Sequence, residues 1–295
     1  MSTRISGVFP ALTTPFVNGE LSTSNLRSNV EKFNKTGLTG YVVLGSTGES
    51  VLMDTNEKLE AVEAVKESAN AGMPIIAGTG AQSARMTIDF TNKAASAGAD
   101  YALIVTPFYY KGQMTAKNLE LYYREVADNV DIPVIMYSVP KFTGIDMPVD
   151  AVKALAVHPN IVGLKESSGN LSLLAEIRKS VPDDFTILQG AGSVLYGSLV
   201  YGAQGGIVAL GNLAPVEIAA IFKLFSEGKL DEAKEIQFKI STVNQKIVGS
   251  YGVPGIKYAV DLLGYFGGDP RPPLQPVSED IKNTIKTLLT EAQLL

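Results

Sequence analysis

The run Ile161-Val162-Gly163-Leu164 is apolar and ends in Lys165, followed by Glu166 and the loop Ser167-Ser168-Gly169. A lysine at the end of a buried strand stands in apolar surroundings, which disfavour its charged form and push its pKa down toward neutrality. A neutral amine attacks a ketone and forms a Schiff base. The plainer alternative is a lysine that reaches out of the strand end into water, or one that pairs with Glu166. Tyr137 closes a second apolar run, residues 133–137. A phenol beside such an amine can carry the protons that carbinolamine formation and aldehyde release require. Taken alone, Tyr137 reads as a half-buried aromatic with a hydrogen-bonded hydroxyl.

Composition narrows the chemistry from the other side. The 295 residues contain no cysteine and one histidine, His158, in Val157-His158-Pro159-Asn160. Thiolate zinc clusters, disulfides and cysteine nucleophiles are excluded outright. A metal-dependent aldolase or hydrolase gathers two or three imidazoles, and a Ser-His-Asp triad would rest on His158 alone, which reads as an exposed turn residue. Catalysis must lean on lysine, tyrosine, carboxylates and backbone amides. A net charge of −5 with interspersed signs gives no nucleic-acid footprint. The N-terminal Met1-Ser2-Thr3-Arg4-Ile5 lacks the apolar stretch of a secretion signal, and no run has the length of a membrane span. The expectation is a cytoplasmic protein acting on a small molecule.

The elements that must position these residues follow from periodicity. Short apolar runs recur at 7–12, 40–44, 74–77, 101–105, 133–137, 161–164, 185–188 and 206–210. Runs apolar on both faces and rich in β-branched residues are strands of a parallel sheet covered on both sides. Between them lie helical patterns. Leu59, Val62 and Val65 keep a three-residue step behind the capping pair Asp54 and Glu57; Leu119, Tyr122, Tyr123 and Val126 form a second stripe, and Leu173, Leu174 and Ile177 a third. Eight strand-helix units predict an α/β fold, a (β/α)₈ TIM barrel over residues 1–226. An open doubly wound sheet is the alternative, but its best fingerprint, Gly78-Thr79-Gly80-Ala81-Gln82-Ser83, lacks the third glycine. Residues 227–295 show only helical patterns, at 231–248, 254–263 and 278–289, and predict a C-terminal helical extension packed on the barrel or at a subunit contact.

Barrel active sites collect at the C-terminal strand ends. The second run ends in Gly45-Ser46-Thr47-Gly48-Glu49, hydroxyls and amides in a glycine-flanked turn that suits a carboxylate or phosphate. The fourth ends in Thr106-Pro107-Phe108-Tyr109-Tyr110, the sixth in Lys165 with Ser167 just beyond, and the seventh in Gly190-Ala191-Gly192-Ser193. Neither this last loop nor Gly211-Asn212 after the eighth run carries a lysine or arginine, which weakens a phosphate site there.

Gly45-Ser46-Thr47-Gly48-Glu49, then Tyr137-x-Val139-Pro140-x-x-Thr143-Gly144, then Gly163-x-Lys165-Glu166 resemble, in this order, the signatures of the dihydrodipicolinate synthase / N-acetylneuraminate lyase family. The resemblance covers nearly the whole chain. It implies a class I aldolase on a (β/α)₈ barrel, a homotetramer built as a dimer of dimers, needing no cofactor. By that resemblance Lys165 forms the Schiff base with pyruvate or another 2-oxo acid and Tyr137 is the proton relay. Ser46, Thr47 and Gly48 form the turn that takes the 2-oxo acid carboxylate. Tyr109 reaches into the neighbouring subunit's site, and Gly190 and Ile207 line the pyruvate pocket beside Ser167.

Within the family, the synthase branch, which condenses pyruvate with aspartate semialdehyde, has an arginine where this chain has Phe142. A phenyl ring cannot make the bidentate contact to a carboxylate. Met86 stands where lysine-inhibited members carry an acidic residue. Ser138, Thr143-Gly144-Ile145-Asp146, residues 158–163, residues 264–268 and the segment from Arg271 to Leu274 look more like 4-hydroxy-2-oxoglutarate aldolases, although Thr47 replaces the asparagine common there. The expected activity is cleavage of a 4-hydroxy-2-oxo acid to pyruvate and an aldehyde. Dihydrodipicolinate synthesis, a 2-keto-3-deoxygluconate-type aldolase and a non-catalytic 2-oxo acid sensor are the alternatives.

Overall fold

A computed structural model describes residues 5–295. The N-terminal residues Met1 to Arg4, read above for a secretion signal, lie outside the described residues. Eight parallel strands follow one another around a ring: β1 Gly7–Pro10, β2 Tyr41–Val43, β3 Ile75–Gly78, β4 Tyr101–Val105, β5 Val134–Ser138, β6 Ile161–Glu166, β7 Thr186–Gln189 and β8 Gly205–Val208. β8 pairs with β1, and the seam between β1 and β2 is closed by the parallel bridge Ala11–Val42 and the bond from the Leu12 amide to the Val42 carbonyl, 2.9 Å. The predicted (β/α)₈ barrel is the fold; an open sheet would leave that seam unpaired.

Both faces of each strand are buried, and the residues alternate between two apolar layers. Phe9, Val42, Ile76, Leu103, Ile135, Leu188 and Ile207 fill the barrel interior. Val8, Tyr41, Val43, Ile75, Ala102, Ile104, Val134, Met136, Leu164 and Ile187 face the surrounding helices. The helix Thr55–Ser68 opens with the capping box expected of Asp54 and Glu57, and Leu119, Tyr123 and Val126 bury the inner face of Ala116–Ala127.

One irregularity decides where the chemistry sits. Between β5 and β6 the pairing steps from Val134–Ile161 to Ile135–Gly163, so β6 carries one extra residue. A one-residue slip exchanges the two faces of a strand. Here it turns Lys165 inward, opposite Tyr137. Gly163 permits the slip: a Cβ there would lie 2.6 Å from the Thr186 carbonyl oxygen.

The eighth strand is shorter than its apolar run. Ala209–Asn212 turns as a 3-10 helix, because Asn212 receives the Thr13 amide and donates to the Ala11 and Ala209 carbonyls. The tail is helical as its pattern predicts. The α-helix Leu230–Val243 passes into a π-helical segment, Asn244–Tyr251, the helix breaks at Gly252 (φ 61°, ψ −151°), and the helices Gly252–Leu262 and Glu279–Glu291 follow. Ile240, Val243, Ile256, Val260, Ile285 and Leu289 bury themselves in the same core as the first strands and helices. His158 occupies its turn but is not exposed. Its side chain is 8% accessible and pinned between Asp128 (3.0 Å) and the Asn160 amide, which it accepts at 3.1 Å. No helix among the described residues is long and apolar enough to cross a membrane.

Candidate active site

The site is assembled at the C-terminal ends of β2, β5 and β6, where barrels place their chemistry. Lys165 and Tyr137 are register partners, 4% and 6% exposed, and the Lys165 Nζ lies 4.1 Å from the centre of the tyrosine ring. The Tyr137 hydroxyl is 3.4 Å from the Ser46 Oγ. The Tyr137 carbonyl is held from behind by the amide and hydroxyl of the buried Thr106, at 3.1 and 3.0 Å. The phenol is thereby fixed between the amine and the Gly45–Gly48 turn.

Among the described residues two lysines are buried, Lys165 and Lys257, and their surroundings differ. Lys257 is neutralised by Glu49 at 2.7 Å. Among the described residues no carboxylate pairs with Lys165, and Glu166 points to the other face of the strand. Enclosing an amine without an acidic partner is costly. The face of the Tyr137 ring stands against it instead.

The turn after β2 is closed by its own hydrogen bonds. The Gly48 and Glu49 amides fold back on the Gly45 and Ser46 carbonyls, 3.0 and 3.2 Å, and the Thr14 hydroxyl holds the Gly48 carbonyl at 2.7 Å. Ser46 and Thr47 at its tip are half-buried. Gly48 is closely packed: a Cβ there would lie 3.1 Å from the Leu12 carbonyl oxygen. Ile207 is wholly buried in the barrel interior with Tyr137 and Leu188. Gly190 packs directly on Ser167: a Cβ at Gly190 would be 1.8 Å from the Ser167 Oγ, and the Gly190 amide donates to the Glu166 carbonyl at 2.6 Å.

Tyr109 is the predicted residue that the chain does not bring in. Its side chain is 75% exposed and packs edge-on against Tyr110, while Gln82 Oε1 accepts the Phe108 and Tyr109 amides at 2.9 and 2.8 Å and fixes the loop. Beside the site, Glu166 is buried with Gln189 as its strand neighbour, and Glu166 Oε2, Ser167 Oγ and Gln189 Nε2 are buried without partners. Burial pushes the Glu166 carboxyl up, against the bonds it accepts from Ser168 and Gly169.

Sequence reasoning missed the support under the turn. Glu49, quoted above only as part of a motif, joins Lys257 and the Arg271 amide, while the Arg271 guanidinium stacks 4.1 Å from the Phe16 ring and pairs with Glu57. A readable signal existed: Lys257 interrupts the apolar stretch Ile256 to Val260 on a face that must be buried.

Comparison with known proteins agrees with this geometry. The model of the dihydrodipicolinate synthetase family matches residues 4–292. A 4-hydroxy-tetrahydrodipicolinate synthase from Geotalea uraniireducens is 36% identical over 290 residues, covering 98% of this chain and 99% of its own. One from Methanothrix thermoacetophila is 34% identical over 287 residues, covering 97% and 96%. The crystal structure of a chloride-inhibited dihydrodipicolinate synthase from Acinetobacter baumannii complexed with pyruvate superposes with a TM-score of 0.93 at 28% identity, covering 98% of this chain and 99% of that one. With its closed ring of eight strands and its lysine facing a tyrosine, the chain belongs to the dihydrodipicolinate synthetase family and is an enzyme of that family's kind, a lyase of the class I aldolase type.

Proposed function

We propose that the enzyme cleaves, or in reverse forms, a 4-hydroxy-2-oxo acid such as 4-hydroxy-2-oxoglutarate, releasing pyruvate and an aldehyde through a Schiff base on Lys165. The observation that carries this reading is the buried, acid-free Lys165 amine against Tyr137, whose hydroxyl reaches Ser46. The Ser46–Thr47 turn receives the substrate carboxylate, which sets the C2 carbonyl before Lys165. Nζ adds to C2, and loss of water from the carbinolamine leaves an iminium. Tyr137 takes the proton from the C4 hydroxyl, the C3–C4 bond breaks, and its electrons move into the iminium to give an enamine. Protonation at C3 and hydrolysis of the imine free pyruvate and restore the amine. Tyr109 serves a neighbouring subunit's site in a homotetramer, a role its exposure in the single chain supports.

A second reading, condensation of pyruvate with aspartate semialdehyde, is favoured by the names of the full-length relatives. Phe142 weighs against it: this ring, 60% exposed, stands where that reaction's resemblance calls for a guanidinium. The adjacent Lys141 donates to the Gly249 carbonyl at 2.8 Å, and a point charge does not reproduce the bidentate contact of a guanidinium. Turnover of 4-hydroxy-2-oxoglutarate, of 2-keto-3-deoxygluconate and of pyruvate with aspartate semialdehyde, measured side by side, decides the branch. Cleavage of a 4-hydroxy-2-oxo acid as the fastest reaction is expected. Faster condensation with aspartate semialdehyde overturns the choice of substrate and leaves the Schiff-base chemistry in place.

A further inference from the structure

We propose that Glu49, clamped by Lys257, is a positioning residue for the Ser46–Thr47 turn, so that the C-terminal helices set the enzyme's affinity for the substrate carboxylate. The inference rests on the reading above that this turn receives a 2-oxo acid.

The turn is conformationally expensive. Leu44 (φ 63°) and Glu49 (φ 56°) bracket it, and both lie in the left-handed region that disfavours residues with a Cβ. Only Asn18 and Gln293 among the other described non-glycine residues share that conformation. Strained backbone persists where its surroundings over-determine it, and such positions gather at ligand clamps. At Glu49 the surroundings are explicit. Oε1 accepts from the Lys257 Nζ at 2.7 Å and Oε2 from the Arg271 amide at 2.8 Å, so both carboxylate oxygens are fixed from the tail. Lys257 in turn donates to the Asp269 carbonyl at 2.9 Å and lies 4.5 Å from the centre of the Phe16 ring. The two charged side chains are each 1% exposed.

A buried ion pair is weak evidence for stability, because desolvating both charges offsets much of their attraction, and apolar replacements of similar volume are often tolerated. What this pair does supply is direction. Glu49 directly follows the turn, its amide closes the turn on the Ser46 carbonyl, and its carboxylate cannot move without leaving a buried charge unpaired. The tail thus holds the hydroxyls and amides of Ser46 and Thr47 in the orientation that a carboxylate needs, without itself touching the substrate.

The test titrates pyruvate against borohydride-trapped adduct on Lys165 in the full-length wild type, Glu49→Gln, Lys257→Arg and the double variant Glu49→Gln/Lys257→Met, with thermal unfolding followed in parallel. The concentration of pyruvate giving half-maximal adduct is expected to rise about tenfold in Glu49→Gln and in the double variant, with adduct at saturation near wild type. Lys257→Arg, which keeps the charge, is expected to stay within about threefold of wild type. Glu49→Gln preserves side-chain volume and one acceptor, and carries the test if the double variant fails to fold. Folded variants with unchanged half-saturation, whatever their thermal midpoint, mark the pair as a structural tie and overturn the proposal. Absence of any adduct in the wild type overturns the Schiff-base reading, and this inference with it.

Discussion

Tyr137 and Lys165 face one another across adjacent parallel strands, with the lysine amine 4.1 Å from the centre of the tyrosine ring. The pairing depends on the extra residue that β6 carries beside β5, and that slip in turn depends on Gly163 having no side chain to strike the Thr186 carbonyl. Register, more than loop conformation, brings the amine and the phenol to one place.

The Tyr137 hydroxyl is the part of that ring assigned to proton transfer. Tyr137→Phe keeps the aromatic face against Lys165 and removes only a long contact to Ser46. Turnover is expected to fall by about 10²- to 10⁴-fold, the usual contribution of a positioned acid-base group, with the thermal midpoint little changed. Steady-state kinetics alongside thermal unfolding checks this; near-normal turnover in Tyr137→Phe removes the phenol from the mechanism.

Gly190 and Ser167 occupy one volume. Gly190→Ala sets a methyl 1.8 Å from the Ser167 Oγ, and an overpacking cost of about 1–3 kcal/mol is expected together with reduced turnover. Ser167→Gly in the same chain removes that oxygen and is expected to restore part of the stability. A double-mutant cycle in denaturant reads the coupling; strictly additive effects contradict the packing described.

Glu166 predicts a pH dependence with a definite sign. Burial raises its carboxyl above the ordinary value of 4.5, so at pH values between that and its folded value the native protein holds a proton that the unfolded chain has released. Its contribution to stability is therefore lost as pH rises through that window. Glu166→Gln, which can still accept the Ser168 amide, is expected to flatten this part of the stability profile. Denaturant melts of both proteins at a series of pH values test it, and parallel profiles refute it.

Tyr109 offers a test of assembly. If its exposed ring completes a neighbouring subunit's site, Tyr109→Phe and Lys165→Ala subunits, each impaired alone, should regain activity when mixed and reassembled. The Lys165→Ala subunit would lend its tyrosine to a partner with an intact lysine. Mixed samples no more active than the sum of their parts contradict a shared site.

The strands were legible because parallel strands buried on both faces are continuous apolar runs, and their order around the ring follows from the fold. The chemistry of Lys165 and Tyr137 was legible because both stand at strand ends. Their exact opposition was not, since a register slip leaves no trace in hydrophobic pattern; only Gly163 hints at it. The helical patterns at 231–248 and 254–263 are separate in the structure too, because Gly252 (φ 61°) ends the π-helical segment Asn244–Tyr251 before the next helix begins. Glu49 and Lys257 lie far apart in the chain and meet only through tertiary packing. The substrate branch was the least legible. Phe142 points away from a second carboxylate while the names of full-length relatives point toward one, and a single side chain speaks for less of the molecule than the overall likeness does.

Borohydride reduction in the presence of pyruvate, followed by peptide mass analysis, tests the central claim most directly. Reduction of an imine on Lys165 predicts a single pyruvate-derived adduct on the peptide spanning Ile161–Glu166, absent without pyruvate and absent in Lys165→Ala. No adduct at saturating pyruvate, or an adduct that persists in Lys165→Ala, contradicts it.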